Sequence, residues 1–310
     1  MYFSRPPKRR SSRPDTILAF QRSLLLIISL FLLAGCDRNE KPAVTDLTVT
    51  DDLGIVLKLT RPAERIVSLA PNITEALFSI GADSLIVGVT DLCDFPPQAK
   101  SKRSVGSYIS PDFEAIIALK PDLVIMYVTN AQGIAYRTLT GNGIKVFVSN
   151  PVDLIGIKKM LLDLGKIASR KLQADSVIRR ITEKEEEMRA LPQSDSAFIV
   201  ISVDPLMTAG GKTYISEILK LSGFVNIFGS QTAEYPVINP EQIVSVQPKF
   251  IIFPADTADM SKVTGSVDAL HRSTSGALRN SVIITIDDDI MFRPGPRVID
   301  AVNALRLRHR

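Results

Sequence analysis

The chain has 310 residues, 45% hydrophobic and 23% charged, which suffices for one large domain or two smaller ones and is too apolar for a disordered chain. Two cysteines, two histidines and no tryptophan exclude a zinc-finger array, a disulfide scaffold and a multi-histidine metal site. The net charge of +4 comes from residues 1–35, which hold six of the 37 basic side chains and one acid; residues 36–310 have 31 basic and 32 acidic residues and no nucleic-acid signature.

A basic stretch ending at Arg22 precedes the apolar run Leu24–Ala34, then Gly35-Cys36. That run is shorter than the ~20 residues a bilayer span needs, and the pattern reads as a secretory signal over residues 1–35. Leu33-Ala34-Gly35-Cys36 also resembles the lipobox of bacterial lipoproteins, which implies cleavage before Cys36 and a lipid on it. The alternatives are an ordinary signal peptide with a chance cysteine, or an uncleaved helix starting near Ile17 with Arg22 inside it. The expectation is an exported protein, lipid-anchored to a bacterial membrane and facing the periplasm or the cell exterior. With Cys36 lipidated, Cys93 has no disulfide partner and reads as a small buried hydrophobe.

Residues 36–46 are polar and aperiodic, as a tether would be. Leu47–Thr50 and Ile55–Leu59 predict a β-hairpin around Asp51-Asp52-Leu53-Gly54. Short apolar runs then alternate with helical patterns: Ile66–Leu69, Leu85–Val89, Leu123–Tyr127 and Lys145–Val148, and later Phe198–Val203, Phe250–Phe253 and Val282–Ile286. Buried runs separated by helices predict an α/β architecture. Lys171–Leu191 has no glycine or proline and apolar residues at 172, 177, 178, 181 and 188, which predicts one amphipathic helix of about 30 Å. The Glu183–Glu187 run reads as its solvated face.

The chain repeats itself across that helix. Tyr108–Met126 and Tyr235–Phe253 match at an offset of 127, with Tyr108/Tyr235, Glu114/Glu241, Ile116/Ile243, Pro121/Pro248 and Ile125/Ile252 identical. Upstream, Thr74-Glu75…Leu77…Gly81 echoes Ser216-Glu217…Leu219…Gly223 at an offset of 142. The fold class is therefore two Rossmann-like α/β lobes bridged by a single long α-helix: an N-terminal lobe over 47–168, the bridge over 169–193 and a C-terminal lobe over 194–310.

Asp112 and Asn239 suit N-caps, Pro240 suits the first helical position, and Glu114 and Glu241 then fall in the first turn. A carboxylate there is either stabilised by the helix dipole alone or is one of a symmetric pair that docks a two-subunit partner. Tyr108 and Tyr235 lie in loops leading into those helices, and Tyr127 ends a strand. They are half-buried loop tyrosines or the walls of a shared crevice. Gly211-Lys212-Thr213 ends like a phosphate-binding loop, but Leu206 stands where the pattern needs glycine. Asp287-Asp288-Asp289 follows a strand and reads as a solvated turn, or as a turn that sends one acid into the crevice. Arg293-Pro294-Gly295-Pro296-Arg297 reads as a rigid turn that either offers two guanidiniums to an anionic group or pairs Arg297 with Asp300. His271 and His309 read as solvated or structural.

RIVSLAPNITEALFSIGA (65–82), VGVTDLCDFPPQA (87–99), FEAIIALKPDLVIM (113–126), DPLMTAGGKTYISEILKLSGFVNIF (204–228) and FRPGPRVID (292–300) resemble the periplasmic substrate-binding proteins of ABC importers for cobalamin, haem and ferric siderophores, most of all the cobalamin-binding branch. The resemblance implies a non-enzymatic, monomeric binding protein with no catalytic cofactor, which delivers its ligand to an ABC permease dimer with ATPase subunits. It implies Glu114 and Glu241 as permease-docking residues. It implies a ligand clamp of Tyr108, Tyr127 and Tyr235, with Leu92 where a further ring is expected, and with Asp289 and Arg293 nearby. Haem binding would use Tyr108 as iron ligand; a siderophore would use Arg293 and Arg297. A cleft enzyme or a scaffold lipoprotein are the readings from other classes.

Overall fold

The computed structural model describes residue 1 and residues 47–128, 133–189, 192–256 and 260–309. The leader, the tether and Cys36 lie outside these residues, apart from residue 1. The described elements belong to one compact unit, Asp46–Arg310.

The predicted hairpin forms, with β1 (Leu47–Thr50) antiparallel to β2 (Val56–Leu59). Two four-stranded sheets follow, each wholly parallel. The first contains β3 (Ile66–Ser68), β4 (Ile86–Val89), β5 (Leu123–Tyr127) and β6 (Val146–Ser149) in the order β4-β3-β5-β6. The second contains β7 (Asp195–Ile199), β10 (Phe224–Asn226), β11 (Phe250–Ala255) and β12 (Val282–Asp287) in the order β10-β7-β11-β12. Taken in chain order within each half, both sheets run second, first, third, fourth, so the sequence repeat is also a repeat of topology. The fold is mixed α/β.

Alternation along the strands sorts the core into layers. Ile66, Leu123 and Ile125 face a central cluster, whereas Val67, Val124 and Met126 face an outer one. The second sheet divides likewise, with Ile252 and Ile284 facing the centre and Phe198, Ile251 and Phe253 facing outward. Because β3, β5 and β6 are covered on both faces, they read as unbroken apolar runs, which is why they are visible in the sequence.

The helices are α1 (Pro71–Ser79), α2 (Phe113–Ala118), α3 (Ile134–Gly141), α4 (Leu154–Ile167), α5 (Lys171–Arg189), α6 (Tyr214–Leu221), α7 (Pro240–Val246), α8 (Met260–Ser273), α9 (Asp288–Phe292) and α10 (Val298–His309). Between the two sheets in the sequence lies α5, packed on α1, α4, α6 and α10. Its buried stripe is Ala174, Val177, Ile181, Glu185 and Met188. This corrects two expectations: Leu172 is 81% exposed, and Glu185 lies in the stripe, not on a solvated face. Burial raises the Glu185 pKa, but hydrogen bonds from Lys158 (2.8 Å) and Arg189 outweigh it and hold the group below its usual range.

Two further expectations change. The run Phe198–Val203 is not one strand: β7 ends at Ile199, and Ser202–Val203 (β8) folds into a short antiparallel pair with Leu206–Met207 (β9). Val200 keeps the run apolar because it is still buried in the outer cluster. The three aspartates are not a solvated turn, since Asp287 N-caps α9 by accepting from the Ile290 N–H at 3.1 Å. Gly210 and Gly211 answer a packing need, because a Cβ at either would overlap the backbone carbonyl of Ala233 or Gly229.

Candidate functional site

In a parallel sheet, the carboxyl ends of the strands and the helix starts that follow them are the natural rim of a crevice. Both sheets contribute such ends to one cavity of about 450 Å³. The first half supplies Pro71 and Asn72 at the start of α1, Leu92 after β4, Tyr108 before α2 and Tyr127 at the end of β5. The second supplies Tyr214 at the start of α6, Tyr235 before α7, and Asp288, Asp289, Phe292, Arg293 and Pro294 after β12. All six residues expected at a ligand site meet here: Leu92, Tyr108, Tyr127, Tyr235, Asp289 and Arg293.

Four phenols form the wall. Tyr214 is 4% exposed and Tyr235 38%, with Tyr127 and Tyr108 between. The Tyr214 and Tyr235 hydroxyls are hydrogen-bonded to each other. Burial raises the pKa of Tyr127 and Tyr214 far above the usual phenol range and that of Tyr235 to about 12. These rings are therefore neutral at any physiological pH and offer flat apolar area with a hydroxyl.

Asp289 and Arg293, which line the cavity, belong to a charged network that extends behind it. Arg293 Nη1 donates to Glu75 Oε1 at 3.1 Å and to Asp94 Oδ1 at 2.7 Å, and its Nη2 lies 2.5 Å from Asp289 Oδ1. Arg297 takes both oxygens of Glu75, at 2.8 and 2.6 Å, and its guanidinium stacks 4.0 Å over the Phe95 ring. This corrects the expectation that Arg297 either meets a ligand or pairs with Asp300: a fully buried carboxylate 222 residues away claims it. Three carboxylates against two guanidiniums leave one negative charge. The Asp289 pKa is raised by burial and by Asp94, Asp288 and Asp287, against the pull of Arg293. The Asp94 pKa is lowered, because the hydrogen bond and charge of Arg293 outweigh its burial.

Glu114 and Glu241 are exposed and do not line this cavity. Each sits in the first turn of its helix, as expected. Asp112 caps α2 by accepting from the Ala115 N–H, and Asn239 forms a reciprocal capping box with Gln242. Cys93 is buried, within 3.2 Å of Thr74 Oγ1 and 3.3 Å of Thr90 Oγ1, and burial pushes its thiol pKa up, as befits an inert side chain. His309 Nε2 lies 2.6 Å from Asp195 Oδ2, its ring packed on Phe224 and Phe250, which is a structural role. Among the described residues, no three His, Cys, Asp or Glu side chains are placed to hold a metal ion, and no helix is long and apolar enough to cross a membrane.

Sequence reasoning missed Tyr214, Phe292 and Asn72. The signal was present for two of them: at the offset of 142, Tyr214 is the repeat equivalent of Asn72, so both helix starts reach the same cavity.

Comparison with known proteins extends these findings. The pattern of the periplasmic binding protein family matches residues 66–290. The chain is similar to a vitamin B12-binding protein of Vibrio campbellii, 31% identical over 244 residues that cover 78% of this chain and 87% of the relative. Among solved structures it is similar to the periplasmic vitamin B12 binding protein BtuF of Vibrio cholerae, with a TM-score of 0.66 and 27% identity over 79% of this chain and 96% of that one. A periplasmic heme binding protein from Pseudomonas aeruginosa shares the fold, with a TM-score of 0.68 and 21% identity over 79% of this chain and 92% of that one.

Proposed function

The chain belongs to the periplasmic binding protein family, a family of binding proteins and not of enzymes, and on that premise we propose that it captures cobalamin or a related corrinoid between its two halves. The reading holds that Cys36 carries the lipid that tethers it to the membrane, and that Glu114 and Glu241 dock it, as a monomer, on an ABC permease dimer. Similarity to vitamin B12-binding proteins supports the ligand class.

The observation that carries the choice within the class is the pairing of a four-tyrosine wall with a charged side that bears surplus negative charge. A corrinoid presents a broad macrocycle fringed with amides. The phenols suit the first, and the oxygens of Asp289, partly exposed at the wall, suit amide N–H donors. Haem carries two propionates and a ferric siderophore is commonly anionic. Both would meet a guanidinium, Arg293, already paired with carboxylates, and Asp289 would repel them. Tyr108 stands where a haem reading needs its iron ligand, which keeps haem as the next ligand to test.

A pH titration tests the role of Asp289. If its ionised form accepts from the ligand, binding favours proton release, and affinity for cyanocobalamin falls as pH drops through the Asp289 pKa. Because that pKa is raised, the loss begins at higher pH than for an ordinary aspartate near 3.9. Asp289→Asn should bind more weakly at neutral pH and show a flatter acid limb. An unchanged acid limb in that variant would remove Asp289 from the ligand contact.

A further inference from the structure

The echo between Thr74-Glu75 and Ser216-Glu217 has no place in the ligand wall, yet both glutamates are withdrawn from solvent, Glu75 more completely. A buried carboxylate is costly unless something specific holds it. In both cases the holder comes from the other half of the molecule. Glu75, on α1 of the first half, takes Arg297 on both oxygens and Arg293 on one. The same turn is gripped again where Asn72 Nδ2 donates to the Pro294 carbonyl at 3.2 Å. Glu217, on α6 of the second half, reaches the opposite way: its Oε2 accepts from the Leu154 N–H at 2.7 Å, at the start of α4. Beside it the Tyr214 N–H donates to the Val152 carbonyl at 2.6 Å.

Equivalent residues of the repeat thus make reciprocal contacts between the halves. Helix formation requires neither contact. Glu75 is the fifth residue of α1, past the first turn where the dipole favours a carboxylate, and Leu154 already has a capping residue in Asp153, which accepts from the Gly156 N–H at 2.6 Å.

We propose that Glu75 and Glu217 are a repeat-related pair of positioning residues, two cross-braces that fix the spacing of the halves and hold the cavity open to one width before any ligand arrives. The braces act together with α5, which joins the halves through the chain. Hinge opening would have to pull Glu75 away from two guanidiniums and expose all three groups at once. The proposal needs no assumption about which ligand the cavity takes.

Electron–electron distance measurement on the full-length chain in detergent tests it without ligand. Spin labels are placed on the exposed positions Arg137→Cys and Arg272→Cys, one on each half, in a Cys36→Ser background that leaves only buried Cys93 as a native thiol. The parent is expected to give one narrow distribution. Glu75→Gln, Arg297→Met and Glu217→Ala should each broaden it or shift it by more than about 2 Å, with far-ultraviolet circular dichroism unchanged. If Glu75→Gln does not fold, the decision falls on the other two, which leave the buried Glu75 carboxylate in place beside Arg293. Parent-like distributions in folded Arg297→Met and Glu217→Ala would overturn the proposal. Failure of the parent to bind cyanocobalamin would bear only on the ligand reading.

Discussion

Tyr127→Ala is expected to weaken cyanocobalamin binding roughly 10- to 100-fold, the range for truncating an aromatic anchor at the centre of a contact. Tyr127 is the last residue of β5, whose preceding side chains from Leu123 to Met126 are all fully buried, so its backbone is fixed by the core and not by the loop that follows. Its ring is half-buried beside Tyr108 and Tyr235, close enough that either of those phenols, if charged, would oppose the ionisation of Tyr127. Removing it takes the middle out of the aromatic wall while leaving the strand intact. Tyr235→Phe makes the complementary case. It keeps the ring and removes only the hydroxyl bonded to buried Tyr214, so the loss should be smaller, no more than about 1 kcal/mol, the typical net worth of one hydrogen bond. Isothermal titration of both variants separates ring area from hydrogen bonding. Equal affinities for Tyr127→Ala and the parent would displace the ligand from this cavity.

The double variant Glu114→Ala/Glu241→Ala is expected to leave ligand affinity unchanged and to cut delivery at least about tenfold. Both residues are exposed, neither lines the cavity, and each helix is capped by other residues, Asp112 in α2 and Asn239 with Gln242 in α7. The helices therefore lose only a few tenths to about 1 kcal/mol of dipole stabilisation each. A carboxylate pair repeated at equivalent points of two equivalent halves matches a partner with two equivalent subunits. Uptake of labelled cobalamin by cells carrying the variant reads the effect. Uptake equal to the parent would return both glutamates to a role in helix capping alone.

What the sequence revealed and what it concealed divide along a physical line. Strands covered on both faces, such as Leu123–Tyr127 and Val146–Ser149, announce themselves as apolar runs. Phe224–Asn226 and the two-residue strands β8 and β9 are too short to carry any period. The repeat was legible because equivalent helix starts need the same caps, and it contained the pointer to Tyr214. Partnerships over long separations left no local trace. Arg297 has Asp300 three residues away, yet Glu75 takes it, because a buried carboxylate must be paired and a surface aspartate need not be. Glu185 was hidden by its neighbours: within a charged run, only the register of α5 distinguishes the one residue facing inward.

We propose that the cavity walled by Tyr108, Tyr127, Tyr214 and Tyr235 binds a corrinoid. The most direct test is calorimetric titration of the full-length chain in detergent with cyanocobalamin at two temperatures, since a binding enthalpy can vanish at one of them. Saturable one-to-one binding is predicted, with a negative heat-capacity change from burial of the macrocycle against the rings. No saturable binding at either temperature, with haem binding one-to-one under the same conditions, would contradict the corrinoid assignment and make Tyr108 the residue to examine as iron ligand.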